Sequence, residues 1–368
     1  MSTNKSYLLN LSSLNCTARS IRRQKNFVKP LRLKKGDKIA AVSLSWGGAG
    51  DADLIWRYKQ GKERLENLFG LKVVEMPNTL KGTEYIYDNP QKRAEDLMNA
   101  FLDKSIKGIF CTIGGNDSIK ILPYINFDII RNNPKIFVGF SDNTITNLIC
   151  MKAGLVSFYG PSIMNDFAEN VAVPTYTVNN VRTTFFCDKR IGEIHSPEFW
   201  TSEFLEWDVK NKNISRKFSI NNPYCAIQGS TTVEGQLIGG CMDVLMTIID
   251  TELFPTLEEF EDTILFLETS EETPTPLVLE NWLCTFGNKG ILSKVNGIIF
   301  AKPYNEKYFN EYIEVIKKVM KKYGKENLPI LFNLTFGHCE PRFCIPYGVK
   351  AEINCTNASF SILENSVV

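Results

Sequence analysis

Three side chains with the chemistry of a hydrolytic triad each follow an apolar segment of this chain: Ser118, Glu268 and His338. A serine hydroxyl becomes a nucleophile when a base, most often histidine, takes its proton. A carboxylate can orient that histidine as a third member. These residue types therefore indicate nucleophilic attack on an acyl group, with Ser118 as the nucleophile.

The surroundings of Ser118 predict a tight turn from a strand into a helix. Gly108–Ile113 has the short, β-branched and aromatic character of a buried strand, and Gly114-Gly115 ends it. Asn116-Asp117-Ser118 favours a helix start. Such a turn lifts a side chain clear of the sheet edge beside unpaired backbone N–H groups. The usual nucleophile elbow reads G-x-S-x-G and this one reads G-G-x-x-S, so a capping serine on a glycine-rich turn is an equal alternative.

The base can be one of two histidines. His195 lies in a loop-like segment, whereas His338 follows an apolar strand and a Phe-Gly turn, which is a defined position at a sheet edge. Glu268 ends another apolar strand and can orient the imidazole, but Glu271 and Glu272 lie close by and compete for that role. The order Ser, Glu, His matches α/β-hydrolases, although the spacing does not.

Strands that alternate with helices predict a parallel α/β sheet in the first half of the chain. Sites in such sheets lie at the carboxyl ends of the strands, which Trp46, Ser118 and Ser141-Asp142 all follow. A dinucleotide site after the first strand is disfavoured, because G-x-G-x-x-G is missing. The predicted strands are Lys38–Ser45, Leu71–Met76, Gly108–Ile113 and Lys135–Phe140, and the predicted helices are Asp53–Leu68, Pro90–Leu102 and Thr144–Ala153.

A second α/β unit begins near residue 229 and ends in a predicted hairpin, Val349–Leu363. We predict an N-terminal parallel-sheet (Rossmann-like) domain and a C-terminal α/β domain with a mixed sheet, with the active site at their interface. The expected parts are a basic tail at 1–30, a nucleophile domain at 31–165, a connecting insertion at 166–228, and a C-terminal domain at 229–368 that carries the glutamate and the histidine.

Composition excludes several classes of protein. The net charge of +1 favours neither nucleic acid nor a membrane surface as an obligatory partner. No apolar run is long enough to cross a bilayer. The ten cysteines include no C-x-x-C pair and are typical of reduced cytosolic thiols. Cys339 and Cys344 near His338 do not fit a common zinc spacing, so we expect no metal.

The first 36 residues carry basic side chains and no acidic one. An organelle transit peptide has this character, but a solvated, poorly ordered tail explains it better. A secretory signal is excluded, because the tail has no apolar core of sufficient length.

The connecting insertion holds Phe199-Trp200 and Trp207 among polar residues. The tryptophans can be packing anchors, or they can form a stacking platform for a flat ligand.

Six motifs occur in order and together identify a family. The chain resembles the LD-carboxypeptidase family of serine peptidases from about Leu31 to its C-terminus, and within it the microcin C immunity peptidase branch. The branch is indicated by the insertion from Glu198 to Trp207, which resembles the tryptophan-bearing loop of that branch, and by the stretch that begins at Leu267. The motifs are Gly114–Ser118, Gly139–Thr144, Phe158–Pro161, Gly235–Gly240, Ile264–Glu268 and Phe336–His338.

The resemblance implies a Ser118-Glu268-His338 triad in a cytoplasmic homodimer that needs no metal and no cofactor. It implies hydrolysis of the amide that links an aminoacyl residue to a modified adenylate, with Trp200, Trp207 and the adjacent Phe199 binding the substrate. Backbone N–H groups of Ile119 and of the loop at Gly115 would hold the oxyanion.

Two other functions stay open. A murein LD-carboxypeptidase would release D-alanine from peptidoglycan tetrapeptides, and an inactive relative would only bind aminoacyl-nucleotides. The family usually has Asn-Leu after the second glycine pair, where this chain has Cys241-Met242, a change that leaves the triad intact but alters the local hydrogen bonding.

Overall fold

The computed structural model describes residues 27–368, and all that follows refers to that part of the chain. The predicted basic tail therefore lies almost wholly outside the described residues. In residues 27–368, none of the helices has the length and apolar character that crossing a membrane requires.

The strands and helices alternate as the sequence predicts for an α/β protein. The strands are β1 Lys38–Val42, β2 Lys72–Glu75, β3 Ile106–Cys111, β4 Ile136–Val138, β5 Phe158–Tyr159, β6 Gly192–Glu193, β7 Phe199–Trp200, β8 Ser219–Ile220, β9 Cys225–Gln228, β10 Thr232–Cys241, β11 Thr263–Glu268, β12 Gly297–Ala301, β13 Ile330–Leu334, β14 Ile345–Pro346, β15 Lys350–Asn354 and β16 Ser359–Ile362. The α-helices are α1 Ile55–Phe69, α2 Thr83–Asp88, α3 Pro90–Leu102, α4 Phe127–Asn132, α5 Thr144–Lys152, α6 Thr175–Phe185, α7 Met242–Thr247, α8 Pro276–Asn288 and α9 Phe309–Lys322.

The first sheet has the order β14-β5-β4-β3-β1-β2 and is parallel except for β14. Its central strands are almost continuously apolar and buried, as expected where helices cover both faces of a parallel sheet. The predicted parallel N-terminal sheet is confirmed.

The second sheet has the order β6-β16-β15-β10-β11-β12-β13-β9. Strands β10 to β13 run parallel, and the flanking pairs are antiparallel. All six residues of β11 are buried, and β15 and β16 form the predicted C-terminal hairpin. The predicted mixed sheet is therefore confirmed.

The C-terminal part of the chain also completes the first sheet. Ile345 and Pro346 of β14 pair with Tyr159 and Phe158 of β5. This pairing ties the segment that follows β13, which carries His338, to the edge of the N-terminal sheet. The two sheets thus meet along the segment where the predicted base lies.

Part of the segment 166–228, which we expected to be a connecting insertion, belongs to the core. Phe185 of α6 packs edge-on against Phe110 and Phe158, with ring centroids 5.9 and 4.9 Å away. Strand β9, also within this segment, forms the edge of the second sheet.

The helix predicted after the Gly114-Gly115 pair is a short 3₁₀ helix, Ser118–Tyr124. Pro123 lies inside it, and a proline has no N–H to continue an α-helical ladder. The α-helix expected to start at Ser118 is therefore absent.

Candidate active site between the two sheets

Ser141 stands on a sharp turn between β4 and α5. Its φ is +59°, which is uncommon and strained for a residue with a side chain, at a cost of about 1–3 kcal/mol. The turn is held because the backbone N–H of Ser141 donates to the Tyr159 hydroxyl at 2.9 Å and the Thr144 hydroxyl donates to the Ser141 carbonyl at 2.7 Å. A strained serine between a strand and a helix is typical of a nucleophile elbow.

Ser141, His338 and Glu268 form a continuous hydrogen-bonded relay. Nε2 of His338 lies 3.1 Å from Ser141 Oγ, and Nδ1 lies 2.7 Å from Glu268 Oε2. The Tyr159 hydroxyl donates to the other carboxylate oxygen of Glu268. The Phe140 ring meets the imidazole edge to face, with centroids 5.2 Å apart. This arrangement can pass a proton from a serine to an imidazole whose orientation a carboxylate fixes.

The local backbone brings the base and its carboxylate together. Glu268 is the last residue of buried β11, and its side chain is only 1% exposed. Gly337 has a φ of +75°, and a Cβ at this position would collide with the Glu268 carboxylate. Glycine is therefore required before His338, whose own backbone N–H also donates to Glu268, at 3.2 Å.

The expected pairing of Ser118 with His338 is wrong. Ser118 is completely buried, and its hydroxyl donates to the backbone carbonyl of Asp142 at 2.9 Å. Its backbone N–H donates to the Asp142 carboxylate at 2.8 Å, as does that of Asp117 at 3.0 Å. Asp117 and Ser118 thus face inward and anchor Asp142, the residue that follows Ser141.

A sequence signal for Ser141 was available. Gly139-Phe140-Ser141-Asp142-Asn143 departs from the G-x-S-x-G elbow only at its last position, and it directly follows an apolar strand. The segment at Ser118 has two residues between the glycine pair and the serine, which displaces the hydroxyl from the strand end.

Charges around His338 favour its protonated form. Burial alone would lower the pKa of His338, but attraction to Glu268 and hydrogen bonds to Glu268 and Glu271 outweigh burial and raise it to about 10. Glu271 Oε2 lies 2.9 Å from His338 Nε2. The hydrogen bond to His338 in turn lowers the pKa of Glu271 to about 2.

The relay opens into a cavity of about 500 Å³, a size suited to a small molecule. The lining residues come from both halves of the chain and the segment between them, so the cavity lies where the sequence predicts the active site. The lining includes Trp46, Arg57, Gly114, Gly115, Ser141, Asn170, Phe204, Trp207, Arg216, Glu271, Tyr304, His338, Glu340 and Arg342.

Of the three side chains predicted to bind substrate, only Trp207 lines this cavity. Trp200 is buried, with the Lys302 ammonium 4.2 Å from its ring centroid, and is a packing residue. Phe199 is 46% exposed in the small β7–β8 ribbon. Neither side chain is part of the cavity wall in the described structure.

Trp46 is a cavity residue that we did not assign to the substrate site. Its ring stacks on Trp207 with centroids 6.2 Å apart and planes at 25°. The Arg57 guanidinium lies 4.4 Å from the Trp207 centroid, and Trp56 Nε1 donates to the Trp207 carbonyl at 3.3 Å. The position of Trp46 after the first strand was the available signal. Together these contacts hold an aromatic surface at the cavity.

Of the two predicted oxyanion residues, Gly115 lines the cavity and Ile119 does not. Ile119 is half-buried against the hydrophobic core. A Cβ on the neighbouring Gly114 would lie only 3.0 Å from the Ser141 Cβ, so the glycine pair passes directly beside the elbow.

Ion pairs fix the polar wall of the cavity. Arg216 contacts Glu169 and also Glu340, the latter at 3.2 Å. Arg342 contacts Glu340 and lies 3.1 Å from Asp166. Burial raises the pKa of Asp166 to about 6, although Arg342 opposes this shift.

Cys241 lies beside the relay. Its Sγ and the nearest ligand atoms of Glu268 and His338 are all within 4.8 Å of one another. Glu268 and His338 already satisfy each other, and the Cys241 thiol donates to Asp243 at 3.6 Å. Glu268 and His338 thus form a hydrogen-bonded pair, and the Cys241 thiol is their neighbour.

His195 lies outside the site. Its side chain is 79% exposed, and Nδ1 is 3.2 Å from Glu193.

Comparison with known proteins matches both halves of the chain. Residues 39–160 match the LD-carboxypeptidase N-terminal domain, and residues 234–353 match the LD-carboxypeptidase C-terminal domain. The chain belongs to the LD-carboxypeptidase family. The sequence is 30% identical to the microcin C7 self-immunity protein MccF of Escherichia coli, over 84% of this chain and 88% of that protein. It is 26% identical to a Bacillus subtilis protein named "Probable murein peptide carboxypeptidase", over 92% of this chain and 95% of the relative.

Solved structures place the chain close to the MccF branch of the LD-carboxypeptidase family. An MccF-like protein from Streptococcus pneumoniae in complex with AMP is 34% identical, with a TM-score of 0.82 over 89% of this chain and 98% of that one. MccF in complex with aspartyl sulfamoyl adenosine is 27% identical, with a TM-score of 0.79 over 93% of this chain and all of that one. The predicted family and branch are confirmed.

Proposed function

We propose that this protein is a serine hydrolase that cleaves the amide joining an aminoacyl residue to an adenylate-like group. The observation that carries the proposal is the 3.1 Å approach of Ser141 Oγ to His338 Nε2, inside the same cavity as Trp207. Ser141 replaces Ser118 as the proposed nucleophile, and His338 and Glu268 keep the roles expected from the sequence.

In the proposed reaction, Ser141 Oγ attacks the amide carbonyl while His338 Nε2 takes the hydroxyl proton. The same nitrogen then returns the proton to the leaving amine, which departs and leaves an acyl-enzyme. Water, deprotonated by His338, hydrolyses the ester and restores Ser141. Throughout, Glu268 accepts the Nδ1–H hydrogen bond and stabilises the imidazolium.

Backbone N–H groups beside Ser141 would bind the tetrahedral oxyanion. Gly115 lies in the cavity wall and keeps its expected role. In place of Ile119 we propose Asp142, because the residue after the nucleophile supplies an oxyanion donor in elbow-type hydrolases. Ser118 and Asp117 would then act indirectly by holding Asp142.

The nucleotide part of the substrate is supported by the aromatic surface of Trp46 and Trp207. A nucleobase stacked on such a surface gains about 1–3 kcal/mol. The relatives solved with AMP and with aspartyl sulfamoyl adenosine support the same class of ligand. The homodimer implied by the resemblance is part of the proposal, and light scattering of the purified protein would test it.

Two other functions follow from the sequence. Murein tetrapeptide hydrolysis is favoured by the Bacillus subtilis relative and remains the second candidate. A protein that only binds aminoacyl-nucleotides is disfavoured by the hydrogen-bonded relay, because binding alone does not require a strained serine beside an imidazole.

A direct comparison of substrates tests the proposal. Purified protein is incubated with aspartyl sulfamoyl adenosine or with a murein tetrapeptide, and products are measured by mass spectrometry. We expect release of aspartate from the nucleotide compound and none in the Ser141→Ala variant. Release of D-alanine alone would establish the murein function instead. Tight binding of the nucleotide without turnover would establish the binding protein.

A further inference from the structure

Nε2 of His338 has two neighbours that require different protonation states of this nitrogen. Ser141 Oγ lies 3.1 Å away and needs a bare nitrogen that can accept its proton. Glu271 Oε2 lies 2.9 Å away and, as an acceptor, needs an N–H. Because Nδ1 already faces Glu268 at 2.7 Å, both ring nitrogens must carry protons when Glu271 is in place. This arrangement favours an imidazolium, which cannot act as a base.

Glu271 is more exposed than the other carboxylates of the cavity wall that bear on this argument. It lies in the turn that follows β11, lines the cavity, and has a side chain 56% exposed. Glu340, another carboxylate of the cavity wall, is by contrast held by Arg216 and Arg342 and is only 14% exposed.

The charged and titratable groups around His338 come from several elements. Glu268 lies at the end of β11, Glu271 in the turn after it, and the Cys241 thiol at the end of β10. Glu340 and Arg342 lie on the segment that follows His338 itself. Tyr159 reaches Glu268 from β5, and Tyr304 faces Glu271 across the cavity. Within this set, Glu271 is the exposed carboxylate in direct contact with Nε2.

We propose that Glu271 blocks His338 in the resting enzyme and that a cationic amino group of the substrate removes the block. This inference rests on the proposed function, because an aminoacyl substrate carries an α-ammonium group two bonds from the carbonyl carbon that Ser141 attacks. When the ammonium pairs with Glu271, His338 keeps only one carboxylate partner. The Nε2 proton then passes to water, and the bare nitrogen accepts the proton of Ser141. Glu271 thereby selects substrates with a free amine next to the scissile amide.

The test compares aspartyl sulfamoyl adenosine with its N-acetyl derivative, which has the same amide and nucleotide but no ammonium. Enzymes are wild type, Glu271→Gln and the matched control Glu272→Gln. Glu272 is exposed, and Glu272→Gln removes the same charge as Glu271→Gln. In the described part of the chain, the Glu272 carboxylate is not a partner of His338. kcat/KM is measured from pH 5 to 9.

We expect wild type and Glu272→Gln to prefer the free amine. Glu271→Gln should lose about tenfold or more of this preference, since removing one carboxylate from an imidazolium shifts its pKa by about 1 unit or more. Its activity on the N-acetyl compound should extend to lower pH by a similar amount. An unchanged preference and pH profile in Glu271→Gln would overturn the proposal, as would an equal loss of kcat on both compounds.

A second measurement does not depend on turnover. With two histidines in the chain, NMR titration can follow each imidazole, and His338→Gln identifies its signal. We expect the pKa of His338 to be lower in Glu271→Gln than in wild type and to be unchanged in Glu272→Gln. If this shift occurs but no substrate is cleaved, the proposed function fails while the contact stands. If hydrolysis occurs and the shift does not, the block is wrong and the hydrolase remains.

Discussion

Ser141 Oγ lies 3.1 Å from His338 Nε2, although 197 residues separate the two along the chain. Ser141 follows β4 of the first sheet, and His338 follows β13 of the second. The pairing of β14 with β5 brings the segment containing His338 to the first sheet. The relay can therefore form only when both sheets are in place, which couples the activity to the packing between the domains.

Replacing each serine in turn distinguishes the proposed nucleophile, Ser141, from Ser118, which supports the neighbouring Asp142. Ser141→Ala should lower kcat by roughly 10⁴-fold or more, the order seen when a triad loses a member. Ser118→Ala removes a buried hydrogen bond to Asp142 and should cost about 1–3 kcal/mol of stability. The measurements are steady-state kinetics and urea unfolding of both variants.

The two variants serve as controls for each other, because one should lose activity and the other stability. Ser141 is half-buried and is not expected to support the fold, so Ser141→Ala should unfold at nearly the wild-type urea concentration. A folded Ser118→Ala protein that has lost all turnover, beside an active Ser141→Ala protein, would restore the assignment made from the sequence.

The strands, and the glutamate and histidine of the proposed triad, could be predicted from the sequence, but the choice of serine could not be made from propensity alone. The helix-starting residues Asn116-Asp117-Ser118 favour Ser118 as the nucleophile, whereas Gly139–Asn143 is closer to the G-x-S-x-G elbow pattern. The direction in which Ser118 points depends on the Asp142 carboxylate, a partner 24 residues away. Such long-range hydrogen bonds leave no local pattern in the sequence.

The roles of the two tryptophans of the insertion also depend on contacts that the local sequence does not show. Trp200 and Trp207 have similar polar neighbours in the sequence, yet Lys302 covers one and Trp46 and Arg57 flank the other. Only tertiary packing distinguishes a buried anchor from a cavity wall. The residues alone also do not show which of Glu268, Glu271 and Glu272 orients the imidazole. Glu268 can approach His338 because Gly337 has no Cβ, and this contact is visible only in the folded structure.

Protonation of His338 should make the stability depend on pH. Its pKa is about 10 in the folded protein and about 6.5 when unfolded, so the folded state holds the proton more tightly. The resulting stability is fully present below about pH 6.5 and is lost as the pH rises through about 10. Urea unfolding at pH 6 and pH 10 should show wild type losing more stability than His338→Gln, by an amount on the order of a few kcal/mol.

The difference between the two proteins isolates His338, because other buried groups titrate in both. His195→Gln serves as the second control, since that side chain is exposed and lies away from the relay. Parallel stability curves for wild type and His338→Gln would show that the pKa of His338 is not raised in the folded protein.

Tyr159 should link the elbow to the triad. Its hydroxyl accepts from the Ser141 backbone N–H at 2.9 Å and donates to Glu268. Tyr159→Phe keeps the ring but leaves a buried N–H and a carboxylate oxygen without this partner, at a cost of about 1–3 kcal/mol. We expect a fall in kcat with little change in KM, because the hydroxyl contacts the catalytic groups and does not line the cavity.

The same variant distinguishes a catalytic support from a structural one. If the Tyr159 hydroxyl positions Glu268 against His338, losing this donor should change the pH profile of kcat. A Tyr159→Phe enzyme that is less stable but has the wild-type kcat and pH profile would limit Tyr159 to a role in folding.

Removing the tryptophans one at a time tests the nucleotide site. Trp207→Ala should raise KM for aspartyl sulfamoyl adenosine by roughly 5- to 150-fold, since stacking on an aromatic side chain is worth about 1–3 kcal/mol. A stacking contact acts equally on the ground and transition states, so kcat should be unchanged. Trp200→Ala is the matched control: its ring is buried under Lys302, so the loss should appear in stability, by about 3–5 kcal/mol, and not in KM. A plain peptide substrate should be hydrolysed equally well by Trp207→Ala and wild type. If Trp207→Ala impairs peptide and nucleotide alike, the ring is a wall of the cavity and not a base-stacking surface, and the murein reaction becomes the better assignment for this site.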